Sequence, residues 1–390
     1  MVNNDKQNNS TEEIMNESGS SILDKIISSK QSSAIEAFHP VDTVTNLLKQ
    51  LSNKDEDIIR RRFGLNGQKS ETLEEIGKIY NVTRERIRQI ERSGIDKIKS
   101  FGQFETTVEP VAEVIKSILE QSGGIMEEES MMRQLLINTG DTKINRNSIN
   151  FIIQELLNNR FEIINESSSR KIAWHIKLSP LDLVNRTIDA IEEIISKIGK
   201  PMDLENLIDE FRQHEIYKHN ADKLNETVIT SYIELSKNID KNPFGEYGLV
   251  GWGSIVPKRM NDKIYLVMKK HGKPLHFNEI TKQVNTAGFD NRKAYAPTVH
   301  NELILNDRYV LIGRGIYALK EWGYKPGVVL QVLIRVLEKS PIALSRDDLV
   351  KRVLEQRVVK KNTIFLALTN KNYFTRLEDG KYIINNKEQN

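Results

Sequence analysis

Arg84, Glu85, Arg88, Gln89 and Arg92 fall at i, i+1, i+4, i+5 and i+8, a spacing that gathers five polar side chains on one side of a helix. Together they can read base pairs. Arginine pairs bidentately with guanine, glutamine with adenine, and glutamate accepts from the cytosine amine. Residues 84–99 carry six basic and three acidic side chains, and the surplus suits phosphates, which fix register without reporting sequence. Ile87, Ile90, Gly94 and Ile98 make the opposite side apolar. Charge alone would equally fit a solvated helical hairpin, so the flanking residues decide.

Those residues describe a helix, a tight turn and a second helix. Thr72 with Glu75 is a capping box that starts a helix, and Leu73, Ile76 and Ile79 give it an apolar stripe. Gly77 stands where the second helix would cross, and its missing side chain permits close approach. Asn81 tolerates a left-handed turn, Val82 plugs the corner, and the Thr83 hydroxyl caps the helix that begins at Arg84. This is the layout of a helix-turn-helix whose second helix enters the major groove.

The chain has 390 residues, enough for several modules. Hydrophobic residues make up 38% and charged residues 28%, ordinary values for a soluble, helix-rich protein. A net charge of +3 means that any nucleic-acid affinity comes from local basic faces. The absence of cysteine removes disulfides, thiolate zinc sites and cysteine nucleophiles. No secretory signal and no membrane span is expected, so the bacterial cytoplasm and its nucleoid are the expected location. No Walker loop, GxGxxG or HExxH occurs, and the histidines are scattered. Glu127, Glu128 and Glu129 are adjacent, so they diverge around a helix and read as a solvated helix start. Neither an enzyme, a cofactor, a metal nor a small-molecule ligand is expected.

The stretch LSNKDEDIIRRRFGLNGQKSETLEEIGKIYNVTRERIRQIERSGIDKI (residues 51–98) resembles the C-terminal, −35-reading region of bacterial primary sigma factors. RRRFGL, TLEEIG and VTRERIRQIE occur in the order and spacing of that family, over about an eighth of the chain. The resemblance implies that Arg84, Glu85, Arg88 and Gln89 meet bases. It also implies that Lys54, Arg62, Leu73, Glu74, Thr83, Arg86 and Arg92 face the DNA backbone, Leu73 and Glu74 chiefly through amides at a helix start. The partners it implies are double-stranded promoter DNA and RNA polymerase, docked at the flap of the β subunit through an apolar surface. Gly94 replaces the family's usual alanine, at a cost to the helix of roughly 1 kcal/mol. Ser93 and Asp96 stand at positions that are usually basic and meet activators. Nothing resembling the core-binding and promoter-melting region precedes residue 41, so the chain is not expected to open a promoter alone.

Beyond the block, four segments of about 65–75 residues repeat one plan: an apolar-periodic helix, a Gly, Ser or Pro turn, two further helices and a short hairpin. Three helices and a hairpin make a winged helix. The expected fold is therefore mainly α: a polar tail over 1–40, a helix-turn-helix block over 41–101, and winged helices over 108–178, 181–257 (irregular), 261–324 and 327–385. The segment from Asn261 resembles the HARE-type winged helix of the RNA polymerase delta subunit, through KPLHFNEI and RYVLIGRGIYALKEWG. Tyr309, Ile316, Tyr317 and Leu319 read as wing core. In the last segment Lys351, Arg352, Arg357, Lys360 and Lys361 cluster around the start of the third helix, a possible second DNA face. The expected function is a sequence-specific DNA-binding transcription factor of sigma type. The alternatives are a polymerase-docking adaptor or a recognition subunit of a DNA-modifying system.

Overall fold

The computed structural model describes residues 38–290 and 292–385. Almost all of the tail expected over 1–40 lies outside the described residues. The described chain is mainly α-helical with small antiparallel sheets. It divides into two compact units, one holding the residues up to Lys197 with Leu207–Ile239, the other Ile198–Asn206 with the residues from Asp240 onward.

The first unit opens with four helices, α1 (Pro40–Leu48), α2 (Asn53–Phe63), α3 (Leu73–Tyr80) and α4 (Arg84–Ser100). The Ser52 hydroxyl caps α2 by accepting from the Asp55 amide at 3.2 Å. Gly64 ends α2 with φ at +65°. There a Cβ would lie 2.9 Å from the Gln68 carbonyl, so glycine is required twice over. After a three-residue connection come α5 (Phe104–Gln121), β1 (Ile125–Glu127), α6 (Glu128–Leu135), α7 (Lys143–Phe151, continued by a π turn over Ile152–Leu156), β2 (Phe161–Ile164) and β3 (Ala173–Ile176). The sheet order is β1-β3-β2, so the first strand pairs with the last, as in a winged helix.

Ile58, Ile76 and Ile87 form a small cluster inside the four-helix block, but most of its core is shared with the winged helix. Leu47, Leu48, Ile59 and Ile98 of the four-helix block lie in one apolar cluster with Ile115, Leu119, Phe151 and Trp174 of the winged helix. Each such buried side chain contributes roughly 1.5–3 kcal/mol relative to exposure. The α7 helix, third in its winged helix, buries Ser148, Ile149 and Phe151 and packs on α1. The Phe63 and Phe151 rings approach to 4.9 Å, and Asn147 donates to the Gly64 carbonyl at 3.0 Å. The same unit includes most of α8 (Leu181–Ile198) and all of α11 (Glu226–Leu235), with α9 (Leu204–Arg212) and the short α10 (Glu215–Asn220) between them in the chain. Tyr232 of α11 donates to the Gly123 carbonyl at 3.0 Å, and burial pushes its phenol up to about 12.

In the chain, β4 (Ile239–Lys241) and β5 (Tyr247–Leu249) follow, and in the second unit Tyr247 pairs with Met202. The segment expected as the irregular winged helix is thus shared between the units. The next runs α12 (Met260–His271), β6 (Leu275–His276), α13 (Phe277–Ala287), α14 (Ala296–Leu305), β7 (Tyr309–Gly313) and β8 (Ile316–Leu319), with sheet order β6-β8-β7. Tyr309, Tyr317 and Leu319 are buried with Ile264 and Val299, and Trp322 packs against them. The last comprises α15 (Val329–Glu338), α16 (Arg346–Leu354), α17 (Lys361–Leu368), β9 (Phe374–Arg376) and β10 (Tyr382–Ile384), closed by a bridge between Leu344 and Tyr382.

Candidate nucleic-acid interface

The turn between α3 and α4 is built by local chemistry. The Thr72 hydroxyl accepts from the Glu75 amide at 3.2 Å while the Glu75 carboxylate accepts from the Thr72 amide at 2.7 Å. Asn81 ends α3 with φ at +52°, the left-handed conformation expected of it. Thr83 caps α4, accepting from the Arg86 amide at 3.2 Å. At Gly77 a Cβ would sit 2.8 Å from the Val82 carbonyl, so the close neighbour is the turn backbone itself. Ile79 departs from the expected stripe: it is 54% exposed, because α3 buries only Ile76 and Gly77.

Ile87, Gly94, Ile95 and Ile98 of α4 face inward. Arg84, Glu85, Arg86, Arg88, Gln89 and Arg92 are all exposed on the outside. They are already organised among themselves. Arg88 reaches Glu85 through Nε at 2.8 Å and Nη2 at 2.6 Å, and Arg86 donates to the Gln89 side chain at 3.2 Å. The hydrogen bond from Arg88 holds the Glu85 carboxyl below its ordinary value. Pairs this exposed are weak in water, so exchange for base edges costs little.

Beside this face lies a cleft of about 370 Å³ lined by Arg62, Thr72, Leu73, Glu74 and Arg84. It brings four of the expected residues, Arg62, Leu73, Glu74 and Arg84, to the start of α3, where helix amides and two guanidinium groups suit a phosphate. Arg62 is held there by Glu91 at 3.0 Å and by the Glu71 carbonyl at 3.4 Å. Glu91 was not among the expected residues; its signal is its place seven residues after Arg84, two helical turns along. Lys54 is not part of the cleft: it is exposed, with its ammonium 5.5 Å from the centre of the Tyr80 ring. A second network ties α2 to α3. Tyr80 donates to Asp57, and Arg61 bridges Asp57 at 2.7 Å and Glu71 at 3.1 Å. Burial raises the Asp57 carboxyl, but the bonds from Tyr80 and Arg61 outweigh it and leave it below its ordinary value.

Residues 47–100 match Sigma-70, region 4. Over 58 residues the chain is 48% identical to the RNA polymerase sigma factor SigA of Microcystis aeruginosa, and equally to that of Synechocystis sp.. Each match covers 15% of this chain and 14% of the relative, so the chain spans about a seventh of the length of the curated relatives it matches.

Outside the block that matches region 4, Lys351 and Arg352 lie in the last turn of α16, Lys360 stands just before α17 without a side-chain cap bond and Lys361 opens it, all exposed. Arg357 corrects the expectation for this face. It is 3% exposed, with its guanidinium on the backbone carbonyls of Leu311 and Lys325. It therefore cannot meet a ligand. The three adjacent glutamates diverge: Glu127 accepts from the Ser130 amide, Glu129 pairs with Arg146, and burial with both neighbours raises Glu128. Among the described residues no helix is long and apolar enough to cross a membrane.

Proposed function

We propose that the chain is a sequence-specific transcription factor of sigma type, which reads −35-like promoter DNA with its region-4 block and contacts RNA polymerase in initiation. The observation that carries this reading is the exposed set of Arg84, Glu85, Arg88 and Gln89 on the second helix of a capped helix-turn-helix. The match to region 4 over the same residues supports it. Its work is binding, in the bacterial cytoplasm at the nucleoid, with no cofactor and no catalytic step. The finer contact is with the polymerase β flap. The inner apolar side of the block is covered by the first winged helix and by the block's own cluster of Ile58, Ile76 and Ile87, which leaves the exposed Ile79 as the apolar anchor for that contact.

A second reading, of an adaptor, is favoured for the HARE-like segment. Its third helix, α14, contains no Lys or Arg and exposes Ile304 and Leu305, with Tyr295 just before it. Such a face suits a protein partner better than phosphates.

The test is a gel-shift titration of Arg88→Ala on a −35 consensus duplex. Affinity should fall roughly ten- to a hundredfold, with relaxed preference at one base pair. Unchanged binding would overturn the assignment of roles.

A further inference from the structure

The connection between α16 and α17 is stitched to the preceding winged helix. The Val358 amide donates to the Ile312 carbonyl at 2.9 Å, and Val358 pairs in parallel with Gly313. A Cβ at Gly313 would lie 2.6 Å from the Val358 carbonyl, so only glycine allows this approach. Arg357 rivets the seam from inside through the Leu311 and Lys325 carbonyls. The two modules therefore present their neighbouring surfaces as one rigid face.

Five cations stand around that seam. Arg314, next to Gly313, is at the exposed tip of the wing between β7 and β8. Lys360 follows Val358 by two residues and Lys361 begins α17. Arg346, at the start of α16, lies 4.5 Å over the ring of Phe365, in the later half of α17. The last turn of α16, with Lys351 and Arg352, is accordingly at the end where α17 starts. All five are exposed, and among the described residues none forms a salt bridge, although Glu355 lies in the same connection. In the helix-turn-helix block Arg60, Arg61, Arg62 and Arg88 each have a carboxylate partner, whereas Arg84, Arg86 and Arg92 form no salt bridge among the described residues. Lys351 and Arg352 feel the Asp348 carboxylate one turn back on α16, but none of the five is ion-paired, and such cations on a rigid frame are neutralised most effectively by a polyanion of fixed spacing. Segments 313–316 and 351–361 contain no aromatic residue, so the face lacks the stacking platforms that a single strand requires.

We propose that this seam is a second DNA site, built jointly by the wing of one module and the helix-turn-helix of the next, which grips the backbone of duplex DNA without reading its sequence. It stands independently of the −35 reading. The site neutralises phosphates through Arg314, Lys351, Arg352, Lys360 and Lys361, while Arg357 keeps the two modules in register.

The full chain carrying R314Q, K351Q, R352Q, K360Q and K361Q together should be titrated by fluorescence anisotropy against a duplex lacking any −35 element, at several salt concentrations. The plot of log affinity against log salt should flatten by about four, and affinity near physiological salt should drop at least tenfold. The ratio between −35 and scrambled duplexes should stay as in the wild type, with an unchanged melting temperature. A charge-retaining variant (R314K, K351R, R352K, K360R, K361R) should keep the wild-type slope. An unchanged slope in the glutamine variant, an equal loss in the charge-retaining one, or tighter binding of a single strand than of the duplex would each overturn the proposal. Arg88→Ala changes the sequence ratio instead, so failure of the −35 reading is separately visible.

Discussion

Glu85 and Arg88 hold each other before any DNA arrives, and this reflects how much of the site was legible at the scale of single residues. A helical period puts polar residues on one side whatever the rest of the chain does, so the exposed face of α4 was legible from spacing, with the flanking caps and turn. Burial by a remote partner leaves no such trace. Arg357 looked like one more surface cation, and only the carbonyls of a preceding module reveal it as an internal rivet. Glu155 was equally silent. Burial, with the nearby charge of Glu91, raises its carboxyl above the ordinary value. An acid whose folded pKa is raised holds its proton more tightly folded than unfolded. Its cost to stability is absent below the unfolded value, grows as pH rises toward the folded one, and persists above. Glu155→Gln should therefore raise the melting temperature at pH 7, with the gain vanishing below about pH 4, as thermal melts across pH would register.

At the scale of elements, the helix-turn-helix was nearly complete in the sequence because its caps, turn and crossing residues act within a few positions of one another. The details that differed are packing details. Gly94 appears as a loss of helix propensity when read alone. In the fold a Cβ there would lie 2.7 Å from the Cδ1 of Ile59, so the position is where α2 and α4 meet. Gly77 is tighter in kind, because its neighbour is backbone, which cannot swing aside. Gly77→Ala should destabilise the first unit by about 1–3 kcal/mol in urea unfolding. DNA affinity should fall with it, since the turn at Val82 and Thr83 aims α4.

For the molecule as a whole, repetition was visible and partnership was not. Each repeated segment carries its own periodicity, but nothing in a period says whose core it completes. The four-helix block shares most of its apolar interior with the first winged helix, keeping only the cluster around Ile58, Ile76 and Ile87 to itself. A fragment of residues 38–101 should consequently lack a cooperative thermal transition by circular dichroism, whereas a fragment of 38–239 should melt cooperatively. Cooperative melting of the shorter piece would contradict the shared core.

Only residues 101–103 separate α4 from α5, and Phe101 and Phe104 are both packed into that interior. The joint behaves like a weld where a swivel would otherwise be. On the reading proposed above, torque applied to α5 would pass through this joint to α4, so a protein that twists the first winged helix would steer the angle of attack on the groove without touching a base.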